Sequence, residues 1–152
     1  MSAPVILSVQ SISKAFGSAP LFTDLSLAIT EGDRLGVVGP NGCGKSTLLR
    51  ILAGSEAPDR GTRALRRQAR VGYVPQDPSF PAGETAESVV AAAIAGDVKD
   101  PAEAALRVAK ALSRAGFVDS QAPVEKLSGG WLKRLAIARE LARAPDVLLL
   151  DE

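Results

Sequence analysis

The spacing of hydrophobic positions changes several times along the chain, and each change marks an element. Val5 to Val9 is a short apolar run that predicts a strand. Within LFTDLSLAIT, apolar and polar residues alternate from Leu25 to Ile29, the pattern of a half-buried strand. After the turn EGDR, the unbroken run LGVVG, Leu35 to Gly39, predicts a buried strand. The period then becomes helical: Leu48, Leu49, Leu52 and Ala53 fall on one face of STLLRILAG, and Gly54 stops it. VGYV, Val71 to Val74, predicts another short strand, and the prolines of PQDPSFPAGE predict a loop.

Two helices are expected next. Thr85 can cap the first, and Gly96 ends it. Asp100, Pro101 and Glu103 supply N-cap, N1 and N3 residues for the second. Its expected face is Ala105, Leu106, Ala109, Leu112 and Gly116. A loop from Gln121 to Lys126 leads to LSGG and a third helix, WLKRLAIARELARA, which ends before Pro145. Val147 to Leu150 is a final buried strand. The order is β at the start, one βα unit, a helical middle and a closing strand.

Composition narrows the class. The 152 residues, 46% hydrophobic and 23% charged, suit one globular domain with a real core. A net charge of +1 is too balanced to demand a polyanionic partner. The single cysteine cannot form an internal disulfide, which fits a reducing compartment. The chain has no histidine, so imidazole catalysis and His-ligated metal are excluded for it. The N-terminus lacks the pattern of a signal peptide, and the longest apolar stretch, Val89 to Ala95, is far short of a membrane span. The expectation is a cytoplasmic protein.

GPNGCGKST, Gly39 to Thr47, matches G-x-x-x-x-G-K-[ST] between a buried strand and a helix. Phosphate oxygens need several backbone N–H groups turned inward, and glycines let the chain bend that tightly. The helix starting near Gly44 adds the positive end of its dipole. Lys45 can then reach the β- and γ-phosphates, and the Ser46 hydroxyl can bind Mg²⁺. A dinucleotide fingerprint fits less well, because G-x-G-x-x-G is absent from this turn. Cys43 sits inside the loop as a stand-in for a small polar residue, with no second thiol to give it redox chemistry.

Asp151 and Glu152 follow four apolar residues in VLLLDE. Taken alone they read as a strand entering a polar turn. Beside a phosphate loop, an acid at a strand end holds Mg²⁺, and a neighbouring carboxylate can orient and deprotonate the attacking water. LSGGW, Leu127 to Trp131, opens a helix with Ser128, Gly129 and Gly130, leaving backbone N–H groups bare. This second anion site most simply serves a nucleotide held by a partner.

GPNGCGKST, VPQDP, LSGG and LLLDE, in this order, resemble the ATP-binding cassette (ABC) ATPase domain over nearly the whole chain. LSGGW followed by LKRLAIAREL, with PLFTDLSLAITEGDRLGVVGPNGCGKST, looks most like the first cassette of an ABC-F protein of the Uup type. The resemblance implies an α/β P-loop NTPase fold with an N-terminal antiparallel β part, a mixed or parallel core sheet and an α-helical subdomain. It divides the chain into a β part and P-loop core (1–75), a Q-loop and helical subdomain (76–127), and a signature helix with the Walker B strand (128–152). ATP and Mg²⁺ would be the ligands, and hydrolysis would drive opening and closing of paired cassettes. Phe16 would stack on adenine. Gly39, Pro40, Asn41, Gly42, Cys43, Gly44, Lys45, Ser46 and Thr47 would hold phosphates, and Gln76 would touch Mg²⁺ and water. Ser128, Gly129 and Gly130 would contact the γ-phosphate of the opposite cassette. Asp151 would support Mg²⁺, and Glu152 would be the general base. Trp131 replaces the Gln common in cassette signatures, a departure the ABC-F resemblance covers.

The partner implied is a second cassette, with the ribosome, RNA or DNA as a further one and no membrane span in this chain. An ATPase subunit of a membrane transporter and a non-catalytic fragment are the alternatives. Five arginines, Arg60, Arg63, Arg66, Arg67 and Arg70, suit neither one helix face nor strict strand alternation. They predict a solvated hairpin, with phosphate-backbone contacts as the alternative. The family pattern runs on past DE, through a strand that inserts between the Walker B and P-loop strands. The expectation is therefore a partial cassette with a gap in its sheet, marginal stability, weak nucleotide binding and little turnover on its own.

Overall fold

The computed structural model describes residues 3–152. Two long strands, β1 (Val5–Phe16) and β2 (Ala19–Thr30), form an antiparallel hairpin, and β3 (Arg60–Leu65) adds to the other edge of β1, giving the order β2-β1-β3. The alternation expected in β2 is present: Leu25, Leu27 and Ile29 lean onto the core while Ser26 and Ala28 between them are exposed. In β1, Ile6, Leu7, Val9 and Ile12 are buried, and bulges between Val9 and Lys14 re-aim the strand towards its turn.

A second sheet pairs β4 (Val71–Val74) in parallel with β5 (Val147–Leu150), Tyr73 opposite Leu149 and Val74 opposite Leu150. Helix α1 (Lys45–Ala53) covers one face of this pair. Its Leu48, Leu49, Ile51 and Leu52 join Val147 and Leu149 and the β1 side chains in one cluster. Burying each such side chain stabilises the fold by about 1.5–3 kcal/mol. Gly54, in the left-handed region at φ 85°, ends α1 as its residue type predicts.

The other face of β4 receives α4 (Gly129–Ala142) at Gly72. A Cβ there would lie 3.3 Å from Glu140 Cβ, so glycine allows the close approach. Glu140 is buried and accepts from Arg139 and Arg143 at 3.0 and 3.1 Å. α4 also packs on α2 (Ala86–Ile94) and α3 (Pro101–Arg114), through Val90, Ile94, Val108, Leu112, Leu135 and Ala138.

The caps formed as read. The Thr85 hydroxyl accepts from Ser88 N–H, with Ser88 completing the box, and Asp100 accepts from Ala102 N–H ahead of Pro101. Glu103 differs: it pairs with Arg107 at 3.1 Å, one turn on, and does not close back on the cap.

Three expectations are corrected. Leu35 to Gly39 is not a buried strand. Among the described residues no named strand pairs with it, and Leu35, Val37 and Val38 are 57%, 43% and 96% exposed. An apolar run becomes a strand only where a partner completes its ladder, and hollows lined by Leu35 to Val37 and by Leu148 to Glu152 separate this run from β5. The buried face of α3 is Val108, Ala111 and Leu112, with Ala104 and Ala115 packed beside it, while Leu106 is 69% exposed. In an alanine-rich helix two stripes fit the helical period, and packing against α2 and α4 selects the one that carries Val108 and Ala111. Finally, β3 and β4 lie in different sheets and form no hairpin.

Candidate functional site

The Gly39–Thr47 loop turns through Gly42 and Gly44, both left-handed at φ 81° and 99°. A Cβ on Gly44 would also press on Leu21 at 3.1 Å, so both backbone and space require glycine there. α1 begins at the next residue with no side-chain cap. The amides of its first turn therefore have no side-chain acceptor, an arrangement that an anion can satisfy. Lys45 Nζ donates to the Gly39 and Pro40 carbonyls at 2.9 and 3.2 Å and lies 3.9 Å from the Glu152 carboxylate. A cleft of about 480 Å³ opens here. Phe16, Leu21, Asn41, Gly42, Gly44 to Thr47, Gln76 and Glu152 line it, bringing most of the expected nucleotide-site residues together. Phe16 is 57% exposed at this cleft and is not a core residue.

The acids arrive through β5. The Asp151 amide donates to Val74 O at 2.9 Å, carrying the parallel ladder one step past the strand. The residue is only 4% exposed, yet both carboxylate oxygens are met. Oδ1 accepts from the Ser46 hydroxyl at 2.8 Å, and Oδ2 from the Tyr73 hydroxyl at 2.9 Å. Burial, then the bond to Asp151, pushes the Tyr73 phenol up to about 12. Glu152 is exposed and accepts from Gln76 Nε2 at 3.2 Å, while Lys133 Nζ donates to its backbone carbonyl at 2.9 Å.

The donor set suits magnesium. Ser46 and Asp151 offer hard oxygens, and no group of three or more His, Cys, Asp or Glu able to hold a metal occurs among the described residues. Mg²⁺ uses one or two protein oxygens plus phosphates and water in place of a protein cage. Cys43 is half-buried inside the loop, where a Cβ on Gly39 would meet its Sγ at 2.7 Å.

Two residues beside the acids escaped the sequence reading. Tyr73 sits on the face of β4 shared with Leu149, and only the parallel pairing with β5 reveals that it reaches Asp151. Arg50 follows Ser46 by one helical turn and donates to Thr47 Oγ1 at 3.2 Å and Glu56 at 3.0 Å. That i,i+4 spacing was the available signal.

Ser128, Gly129 and Gly130 stand apart from the cleft lining, exposed at the start of α4, and Ser128 makes no side-chain capping bond. The first amides of α4 are thus open to a ligand from outside. Trp131 packs edge-to-face on Phe117 with centroids 4.9 Å apart, under the Arg134 guanidinium. Three of the five clustered arginines are engaged within the chain: Arg63 on Leu52 O, Arg66 on Asp146 and Arg70 on Asp97. That leaves less free charge for a phosphate backbone.

Comparison with known proteins bears on the family and the fold. A family model described as ABC transporter matches residues 22–152. The chain is 37% identical to the Fe(3+) ions import ATP-binding protein FbpC 1 of Rhodococcus jostii over 96% of its length, and 43% identical to the ATP-binding protein Uup of Caulobacter vibrioides over 97%. It spans 45% of the first relative and 23% of the second. Among solved structures, a dimeric ATP-binding cassette in a post-hydrolysis state, bound to ADP and Pi, superposes with a TM-score of 0.84 at 25% identity, over 97% of this chain and 74% of that one. CbiO1 of Clostridium perfringens, part of the ABC transporter complex cbiONQ, superposes with a TM-score of 0.78 at 29% identity, over 97% of this chain and 65% of that one.

Proposed function

The chain belongs to the ABC transporter family, and we propose that its cleft binds Mg-ATP and, paired with a second cassette, supports hydrolysis of the γ-phosphate bond. The observation that carries this reading is the meeting of Ser46 and Asp151 at 2.8 Å beside a glycine-built phosphate loop. The loop amides and Lys45 would grip the β- and γ-phosphates, and Phe16 would lie against the adenine. Mg²⁺, held by Ser46 and Asp151, would neutralise charge on the phosphates. Glu152 would orient and deprotonate the attacking water, with the Gln76 amide fixing its carboxylate. Ser128 to Gly130 would offer their amides to the γ-phosphate of the partner cassette.

The process powered is membrane transport on this reading, because FbpC 1 is an import ATP-binding protein and CbiO1 is part of a transporter complex. No helix among the described residues is long and apolar enough to cross a membrane, so the membrane-spanning partner would be a separate protein or segment, with this cassette on the cytoplasmic side. A ribosome-associated ABC-F role is the second reading. It is favoured by the 43% identity to Uup and by Trp131 in the signature.

The test is isothermal titration of the purified chain with Mg-ATP, alongside Lys45→Ala and Glu152→Gln. The expected result is binding that Lys45→Ala weakens by about tenfold to a hundredfold, the worth of a charge-assisted hydrogen bond. Glu152→Gln should keep binding and lose the turnover seen once a complete second cassette is supplied. Mg-ATP should also shield Cys43 from alkylation. Absence of heat and equal labelling with and without nucleotide would leave only the non-catalytic fragment.

A further inference from the structure

We propose that Tyr73 is a positioning residue of the Mg²⁺ subsite, holding Asp151 Oδ2 so that Oδ1 stays on Ser46, the residue that lines the cleft. The inference rests on the reading of that cleft as a Mg-nucleotide site.

Three observations carry it. The first is register. Tyr73 lies opposite Leu149 in the parallel β4–β5 pair, and side chains two apart along a strand share a face. Tyr73, Leu149 and Asp151 therefore all point to the α1 side, and a phenol leaning along β4 reaches one step past its neighbour to the acid. Its ring packs with the α1 cluster, and its hydroxyl ends 2.9 Å from Oδ2. The second is burial. Asp151 is 4% exposed, so water cannot freely replace a lost partner. An ionised carboxylate only accepts, and the Tyr73 hydroxyl must then donate. The third is the division of labour. Ser46 occupies Oδ1 at 2.8 Å and Tyr73 occupies Oδ2, so the carboxylate is held at both ends and its rotation is blocked. Without the phenol, Oδ2 is a buried anionic oxygen lacking its donor, and the group is free to turn away from Ser46. Phenylalanine at 73 would fill the same space and supply no donor. Hydrogen bonds to metal-ligating groups typically support metal affinity by tenfold or more.

The experiment compares the full chain with Tyr73→Phe, and both with the same pair carrying Asp151→Asn. Mn²⁺ binding to the protein–ADP complex is followed by electron paramagnetic resonance, and ADP affinity in EDTA is measured separately. The expected result is about a tenfold loss of Mn²⁺ affinity in Tyr73→Phe, unchanged ADP affinity in EDTA, and no further loss when Tyr73→Phe is added to Asp151→Asn. Mn²⁺ affinity equal to wild type, or equal losses of metal and of metal-free nucleotide, overturns the proposal while leaving the nucleotide site intact. A wild-type chain that binds ADP and no Mn²⁺ removes the site and the proposal together.

Tyr73 is the single tyrosine of the chain, which gives a second measurement that keeps a phenol at this position. Uniform 3-fluorotyrosine labelling places one ¹⁹F probe on the ring carbon beside this hydroxyl. Mg²⁺ added to the ADP complex should move its resonance in the wild type and leave it unmoved in Asp151→Asn. A stationary wild-type resonance at saturating Mg²⁺ overturns the proposal.

Discussion

The Ser46 hydroxyl donates to Asp151 Oδ1 at 2.8 Å, joining residues 105 positions apart. One belongs to the first turn of α1 and the other to the end of β5, and Leu49 and Leu149 bury the same apolar surface beneath them. Packing of the helix on the strand thus sets the distance between hydroxyl and acid.

Ser46→Ala should leave ADP affinity in EDTA unchanged and reduce the gain from Mg²⁺ by about tenfold. Asp151→Asn should do the same and also destabilise the chain by about 1–3 kcal/mol. The amide oxygen can accept from Ser46 or Tyr73 but not both as the two carboxylate oxygens do, and its N–H fits the other hydroxyl only if that group gives up donating and accepts. Titration calorimetry with thermal melts separates the two effects; a Mg²⁺ gain preserved in both variants would contradict the assignment.

Glu56 accepts from Arg50 Nε at 3.0 Å and lies 3.3 Å from Lys14 Nζ. The Arg50 guanidinium, helped by Lys14, holds its carboxyl below the ordinary 4.5. The folded-state value is depressed, so the stabilisation is complete above 4.5 and is lost as pH falls through the folded value. Glu56→Gln should lose about 0.5–1 kcal/mol near neutrality and converge with wild type in acid. Denaturant melts across that range check this, and a constant difference at every pH would refute it.

Gly61 sits at φ 84° where β3 passes the bulge of β1. A Cβ there would fall within 2.6 Å of Ser11 O and Ile12 N, and backbone cannot yield as a side-chain tip can. Gly61→Ala should destabilise by about 2–4 kcal/mol, whereas Gly83→Ala, with open space around it, should lose only the left-handed strain of about 1 kcal/mol. Comparable melting temperatures for the two variants would contradict the placement of β3.

The unpaired run from Arg34 to Pro40 should exchange its amide hydrogens near the free rate, while Tyr73, Val74 and Leu149 stay protected. Val38→Thr should change stability by less than about 0.5 kcal/mol, against about 2–5 kcal/mol for Leu52→Ala in the core. Slow exchange at Val37 and Val38 would show that this run is paired in solution.

Features decided within a few residues were legible in the sequence. Thr85 and Ser88, or Asp100 and Ala102, meet across one turn, so the residue types alone specify the caps. The Gly39–Thr47 loop belongs with them, because its glycines and the following helix are contiguous. LGVVG and VLLL read alike as buried strands, yet Val147 to Leu150 found a partner in β4 and Leu35 to Gly39 found none among the described residues. Motif order pointed to Gln76, Asp151 and Glu152 as one site, but not to their mutual contacts.

Local hydrogen-bond chemistry and hydrophobic period, written into the chain itself, determined the phosphate loop, the caps, the helices and the acidic strand end. Tertiary structure alone decided which strand pairs with which, which stripe of α3 is buried, and that Tyr73 holds Asp151. A ladder or a buried carboxylate needs partners from distant segments, and only the packed topology supplies them.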